Sequence, residues 1–195
     1  MLDELLNLVK GEAQSAVVNN SDVPNENNEG IMQEAANSIK VGLQNELAGG
    51  GFQNVLKTLG GQSGTGQGNP IVNNITGNFA NNIMQKFGLS SGTAQSVASS
   101  LIPSVMGKLV NKTNDPNDSS FSLDNIFHSL TGGQTSGMNL GGMLKSVTGG
   151  SLDQNQDGKV DLSDVTSMIS KAAQGQQGSS GGGILGAVKG LFGGK

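Results

Sequence analysis

Four stretches of this chain carry apolar residues at spacings of three and four, and no stretch alternates apolar with polar residues over the length of a strand. Leu2, Leu5, Leu6, Val9, Ala13, Ala16 and Val17 make the first stripe, and Ile31, Ala35, Ile39, Leu43 and Leu47 the second. Ile71, Ile75, Phe79, Ile83 and Phe87 make the third, and Val97, Leu101, Val105 and Leu109 the fourth. This is the period of a helix that buries one face. It predicts an all-α fold, a helical bundle.

The residues between the stripes are helix stops and starts. Asn19-Asn20-Ser21-Asp22 breaks the first helix and Pro24 can open the second, which Gly49-Gly50-Gly51 ends. A short piece, Phe52 to Leu59, follows, and then Gly60 to Gly68, a run with the composition of a flexible linker. Asn69-Pro70 reads as an N-cap with proline in the first helical position, Gly88 as a stop, and Ser90 or Ser91 as the next cap. Pro103 is expected to kink the fourth helix. The organisation this gives is an N-terminal helical hairpin over 1–59, a linker over 60–68, a helical domain over 69–174, and a Gly/Ser tether with an apolar tail over 175–195.

A weak repeat runs through the chain. Ile126 to Gly133 (IFHSLTGG) matches Met143 to Gly150 (MLKSVTGG), Ala187 to Gly194 is a looser copy, and Val55 to Gly61 a shortened one. Each reads as a short apolar helix stopped by glycine; reuse of a common helix-stop pattern produces the same match.

Composition narrows the function classes. Hydrophobic residues make up 34% of the chain, with no Trp, Tyr or Cys, so the core is expected to be aliphatic and no disulfide or thiolate metal site can form. The net charge is −4 and there is no Arg, which argues against nucleic-acid binding, where Lys and Arg displace counterions and Arg reads bases. The first residues, MLDELLNLVKGEAQSAVV, are acidic and amphipathic and do not form the basic and apolar regions of a signal peptide. This predicts a cytoplasmic protein and leaves open export that reads no N-terminal signal.

The fifteen acidic residues are unevenly placed. Eight lie between Asp3 and Glu46, and none follows until Asp115. The other seven are all Asp: Asp115, Asp118, Asp124, Asp153, Asp157, Asp161 and Asp164. Aspartates favour turns and helix caps, which is enough to explain the first group. The second group has a stricter register. In the twelve residues DQNQDGKVDLSD, Asp153, Asn155 and Asp157 stand at positions one, three and five, and Gly158 at the sharp turn of position six. Lys159 at position seven offers its backbone carbonyl, and Asp161 and Asp164 stand at nine and twelve. Ca²⁺ takes six to eight oxygen ligands, and an EF-hand loop supplies them at this spacing. The expected cofactor is Ca²⁺.

Setting Asn114–Ile126 over Asp153–Val165 matches Asp118 with Asp157, Phe121 with Val160, Leu123 with Leu162 and Asn125 with Asp164. The upstream loop has Pro116 at position three and Ser119 in place of the turn glycine. The expectation is an EF-hand-like pair with an intact loop at 153–164 and a degenerate one at 114–125, which either binds weakly through Asp115, Asp118 and Asp124 in another geometry or only braces its neighbour, the reading favoured here.

The segment DQNQDGKVDLSDVTSMISKAA resembles one calcium repeat of a dockerin, with Asp164 rather than Glu at position twelve. The resemblance implies Ca²⁺ on Asp153, Asn155, Asp157, the Lys159 carbonyl, Asp161 and Asp164. Dockerins carry two good copies close together, often with hydroxylic residues at positions ten and eleven, where this chain has Leu162 and Ser163. Most of residues 1–170 resembles the bacterial family labelled domain of unknown function 937, in its Bacteroidetes-type layout. MLDELLNLVK, NPIVNNITGNFANNIMQKFGLSSGTA, LIPSVMGKLVNKTNDPNDSSF and the DQNQDGKVDL loop carry that likeness, which implies a helical protein and no particular activity.

Catalytic patterns are weak. His128, the one histidine, stands in an apolar helical segment, and no serine sits in a Gly-x-Ser-x-Gly elbow. GGQSGTGQGNP lacks the Lys-Ser/Thr ending and preceding strand of a phosphate loop. The chain is therefore expected to be no enzyme, and to be a calcium-binding protein with a structural or interaction role. The alternative is a self-assembling or surface-associated scaffold in which calcium is incidental. In the tail, Ile184, Leu185, Val188, Leu191 and Phe192 suit one helical face beside Lys189 and Lys195, which predicts contact with another protein or another copy of this chain. Five apolar residues broken by glycine give only marginal membrane affinity.

Overall fold

A computed structural model describes residues 2–66, 68–133, 140 and 142–144 of the chain. These residues form an all-α bundle: α1 (Leu2–Ala13), α2 (Asn28–Ala48), α3 (Phe52–Leu59), α4 (Pro70–Phe87), α5 (Ser91–Thr113) and α6 (Leu123–Leu130). No helix among the described residues is long and apolar enough to cross a membrane.

The stripes become the core. Ile71, Ile75, Phe79 and Ile83 of α4 are buried, as are Val97, Leu101, Val105 and Leu109 of α5. The two helices pack closely, joined by Gly88, Leu89 and Ser90. Gly88 ends α4 at φ +67, a left-handed conformation that costs glycine nothing, and Ser90 caps α5 by accepting the Thr93 N–H at 3.1 Å. α5 runs as one helix through Pro103. α1 lies on α2 and α5, α2 on α4, and α3 on α2 and α5.

α1 ends in a π-helical turn, Gln14–Val18, in which the Asn19 N–H reaches back five residues to the Gln14 carbonyl (2.8 Å). Pro24 precedes a 3₁₀ turn, Asn25–Asn27, and α2 opens after it at Asn28.

Two glycines let α2 and α4 approach closely. A Cβ on Gly30 would stand 2.6 Å from the Phe87 ring, and one on Gly42 would collide with the Ile75 side chain. Between them Glu34 is pinned from α4: its Oε1 accepts from Asn82 Nδ2 (2.7 Å) and its Oε2 from Lys86 Nζ (2.6 Å). Burying a carboxylate is costly unless it is paired, and here both oxygens have donors.

The segment expected to be a linker is tied at its end. The Asn69 side chain is buried and uses both its ends. Its Oδ1 accepts from the N–H groups of Ile71 (2.9 Å) and Val72 (3.3 Å), and its Nδ2 donates to Thr58 Oγ1 (3.0 Å) and the Gly64 carbonyl (2.9 Å). An N-cap of this kind is worth about 1 kcal/mol, and this one also holds the end of α3 to the start of α4. A single hydrophobic cluster runs from Leu5 to Leu140, so residues on both sides of Gly60–Gly68 share one core.

Candidate metal centre

The six residues expected to bind Ca²⁺, Asp153, Asn155, Asp157, Lys159, Asp161 and Asp164, lie outside the described residues, as does the tail over 175–195. The loop matched with them, 114–125, is described in full and joins α5 to α6.

This loop is closed by its own polar atoms. Asn114 follows the last turn of α5 and sends its side-chain amide to the carbonyls of Val110 (2.7 Å) and Leu59 (3.1 Å). Asp115 Oδ1 accepts from the Asn117 N–H (2.9 Å) and the Asn117 side chain (3.2 Å), a turn built by the side chain on the backbone two residues on. Asp118 Oδ1 accepts from the Ser120 N–H (3.1 Å), and its Oδ2 takes the Lys112 ammonium (2.6 Å). Ser122 caps α6 by accepting the Asn125 N–H (3.3 Å).

Asn125 stands at position twelve, where the intact register has a carboxylate. Here its Nδ2 donates to the Ser119 carbonyl at 2.7 Å, drawing the end of the loop onto its middle. Phe121, at position eight, is buried, and the Lys112 ammonium stands 5.6 Å from its ring centre.

Electrostatics follow from these contacts. The hydrogen bond from Lys112 holds the Asp118 carboxyl below the ordinary range for aspartate, against some loss of solvation, and the charge of Lys112 and the N–H groups of Ser120 and Phe121 add to it. A cation seeking Asp118 meets a competing ammonium. Among the described residues no three Asp, Glu or His side chains gather where they could hold a metal ion. The arrangement is that of a self-satisfied turn that positions α6.

α6 is held against α2 and α3. Leu123, Ile126, Phe127 and Leu130 are buried, Phe127 meets the Phe52 ring of α3 at 5.0 Å, and the Leu130 carbonyl accepts from Gln44 of α2 (3.2 Å). The helix matches the first copy of the repeat, and Gly132 and Gly133 follow it at φ +63 and +95. His128 is exposed on its surface.

Sequence reading missed Lys112 as the partner of Asp118, and Asn114 as the tie to α3. The signal for the first was present, since Lys112 stands in the last turn of a helix that ends just before the aspartates. Nothing in the sequence points Asn114 to Leu59, 55 residues away. No protein-family model, no curated protein and no solved structure matches the chain.

Proposed function

We propose that this chain is a non-enzymatic calcium-binding protein, a helical body carrying one oxygen-ligated loop, with a structural or protein-interaction role. The register of Asp153, Asn155, Asp157, Gly158, Lys159, Asp161 and Asp164 carries this reading, because six ligand positions and the turn glycine fall in order within twelve residues. The geometry of 114–125 supports it from the other side. The degenerate loop meets its charge with Lys112 and closes itself with Asn125, so it needs no ion and is suited to brace a neighbour.

The loop at 153–164 has four aspartates and one lysine. Its carboxylates repel one another until a cation enters, so binding is expected to order the segment and stabilise the folded chain by mass action. With Asp rather than Glu at position twelve, affinity is expected between about 10⁻⁶ and 10⁻³ M, the span from sensor sites to extracellular modules.

Calorimetric titration of the full chain tests this. The wild type is expected to bind one equivalent of Ca²⁺ and the Asp153→Ala/Asp164→Ala variant none. Absence of binding by the wild type at millimolar calcium ends the reading.

A further inference from the structure

A cleft between α4 and α5 is lined by a glycine and a proline that each stand inside a helix. Among the described residues, Asn73, Thr76 and Gly77 line it from α4, at the spacing of one helix face, and Gln95, Ser99 and Pro103 line it from α5 at steps of four. Its volume is about 380 Å³, at the small end of the range for ligand sites.

Glycine and proline are the residues least favourable to a helix interior. Gly30 and Gly42 of α2 have a packing reason, since a Cβ on either would strike a side chain of α4. A Cβ on Gly77 meets nothing within 4 Å, so what this glycine provides is open space in the cleft. Pro103 has no N–H, and the Ser99 carbonyl, four residues back in the same helix, lacks its helical donor. Positions that break local rules together are expected at functional sites.

The polar atoms of the cleft select a chemistry. Thr76 Oγ1 donates to the Val72 carbonyl (2.7 Å) and Ser99 Oγ to the Ser96 carbonyl (3.2 Å). With their protons committed, both hydroxyls present lone pairs, beside the Ser99 carbonyl. Asn73 and Gln95 add exposed carboxamides, which both donate and accept. Between Pro70 and Gly107 the one charged residue is Lys86, and it is paired with Glu34. The described lining thus offers a cation no carboxylate and an anion no ammonium. It suits a neutral molecule with several O–H donors, whose C–H face can rest on the Pro103 ring and the bare backbone of Gly77.

We infer that the α4–α5 cleft is a binding site for a neutral carbohydrate. The site is separate from the calcium loop, and neither reading rests on the other.

Saturation-transfer NMR and calorimetric titration of the full-length chain test the inference. The probes are glucose, galactose, mannose and N-acetylglucosamine, each free and as its trisaccharide, with glucuronic acid and glucosamine as charged controls. A neutral sugar is expected to bind at millimolar concentration and the charged controls more weakly. Gly77→Leu fills the open space and is expected to lower affinity about tenfold or more. Pro103→Ala returns an N–H to the Ser99 carbonyl and Gln95→Ala removes a carboxamide, and each is expected to lower it about threefold to tenfold, the worth of one hydrogen bond. Helix propensity favours Gly77→Leu and Pro103→Ala, so their urea midpoints are expected to hold or rise while binding falls, which general loosening of the fold does not produce. Gln95 is exposed, so its replacement reports on the cleft with the fold intact. No binding of any neutral sugar at millimolar concentration overturns the inference, as does binding that Gly77→Leu and Gln95→Ala leave unchanged. Tighter binding of a charged control overturns the ligand class.

Discussion

Two lysine–carboxylate pairs of the same length, 2.6 Å, hold two different parts of this molecule. Lys86 and Glu34 are 52 residues apart and join α4 to α2; Lys112 and Asp118 are six apart and close one loop. The Glu34 side chain is 8% exposed, and the Asp118 side chain 19%. The first pair sits in a contact decided by shape, where Gly30 and Gly42 let two helices approach and a stranded charge is costly. The second sits in a turn decided by polar atoms, where water and ions compete for each partner. Distance alone therefore says little about what an ion pair contributes; the surroundings decide it. The helical body is expected to answer to changes in volume, and the loop to pH, salt and cations.

The largest effect is expected where the helices touch. Gly42→Val drives a branched side chain into Ile75 and is expected to cost about 3 kcal/mol in urea-induced unfolding, the upper end for overpacking. Gly77→Ala in α4 is the matching control. It is also a helical glycine, but a Cβ there meets nothing within 4 Å, and the change is expected to stabilise by about 0.5–1 kcal/mol through helix propensity. If both variants behave alike, shape does not decide the α2–α4 contact.

An intermediate effect is expected at Glu34. Lys86→Met leaves the buried carboxylate with Asn82 as its remaining named donor. The expected cost is about 2 kcal/mol, below the usual value for breaking a fully buried pair because the Lys86 side chain is 55% exposed. Adding Glu34→Gln should recover part of the loss. A double variant less stable than Lys86→Met would show that the stranded charge is not the cause.

The smallest effect is expected at Asp118→Asn, and it should depend on pH. The folded carboxyl titrates below the ordinary aspartate range, because of Lys112 first. The stability it confers is present above the unfolded pKa and is lost as pH falls through the lowered folded value. Melting temperatures of wild type and Asp118→Asn should therefore differ at neutral pH and converge in acid, and added salt should narrow the gap. A gap that survives into acid means that the charge is not what Asp118 contributes.

Much of the local structure was legible in the sequence. The stripe from Ile71 to Ile83 is buried as its period required, Asn69 caps the helix that Pro70 opens, and Gly88 and Ser90 mark the turn between α4 and α5. These features depend on residues within a turn or two of one another, and steric and hydrogen-bonding rules act at that range. The relation of the N-terminal helices to the rest was not legible. A glycine-rich run looks like a boundary in a sequence, yet Asn69 ties its end back to Thr58, and the core continues across it. The 114–125 loop was half legible: the mismatched ligand positions were visible at Pro116, Ser119 and Asn125, while the Lys112 bond and the Ser119–Asn125 closure needed the folded turn.

The sequence by itself determined which residues make helices, which face of each is apolar, where each helix stops, and the register of oxygen-bearing residues from Asp153 to Asp164. Periodicity, capping and ligand spacing are properties of a short stretch of chain. Only the tertiary structure decided which face covers which: that Gly30 receives Phe87, that Glu34 meets Lys86, that Asn114 reaches Leu59, and that Leu144 rests on Gly60. An apolar stripe fixes that a face must be buried and leaves its partner open, because the hydrophobic effect has no direction. The choice falls to fit between surfaces far apart in the chain, where a missing Cβ or one well-placed amide separates one packing from another.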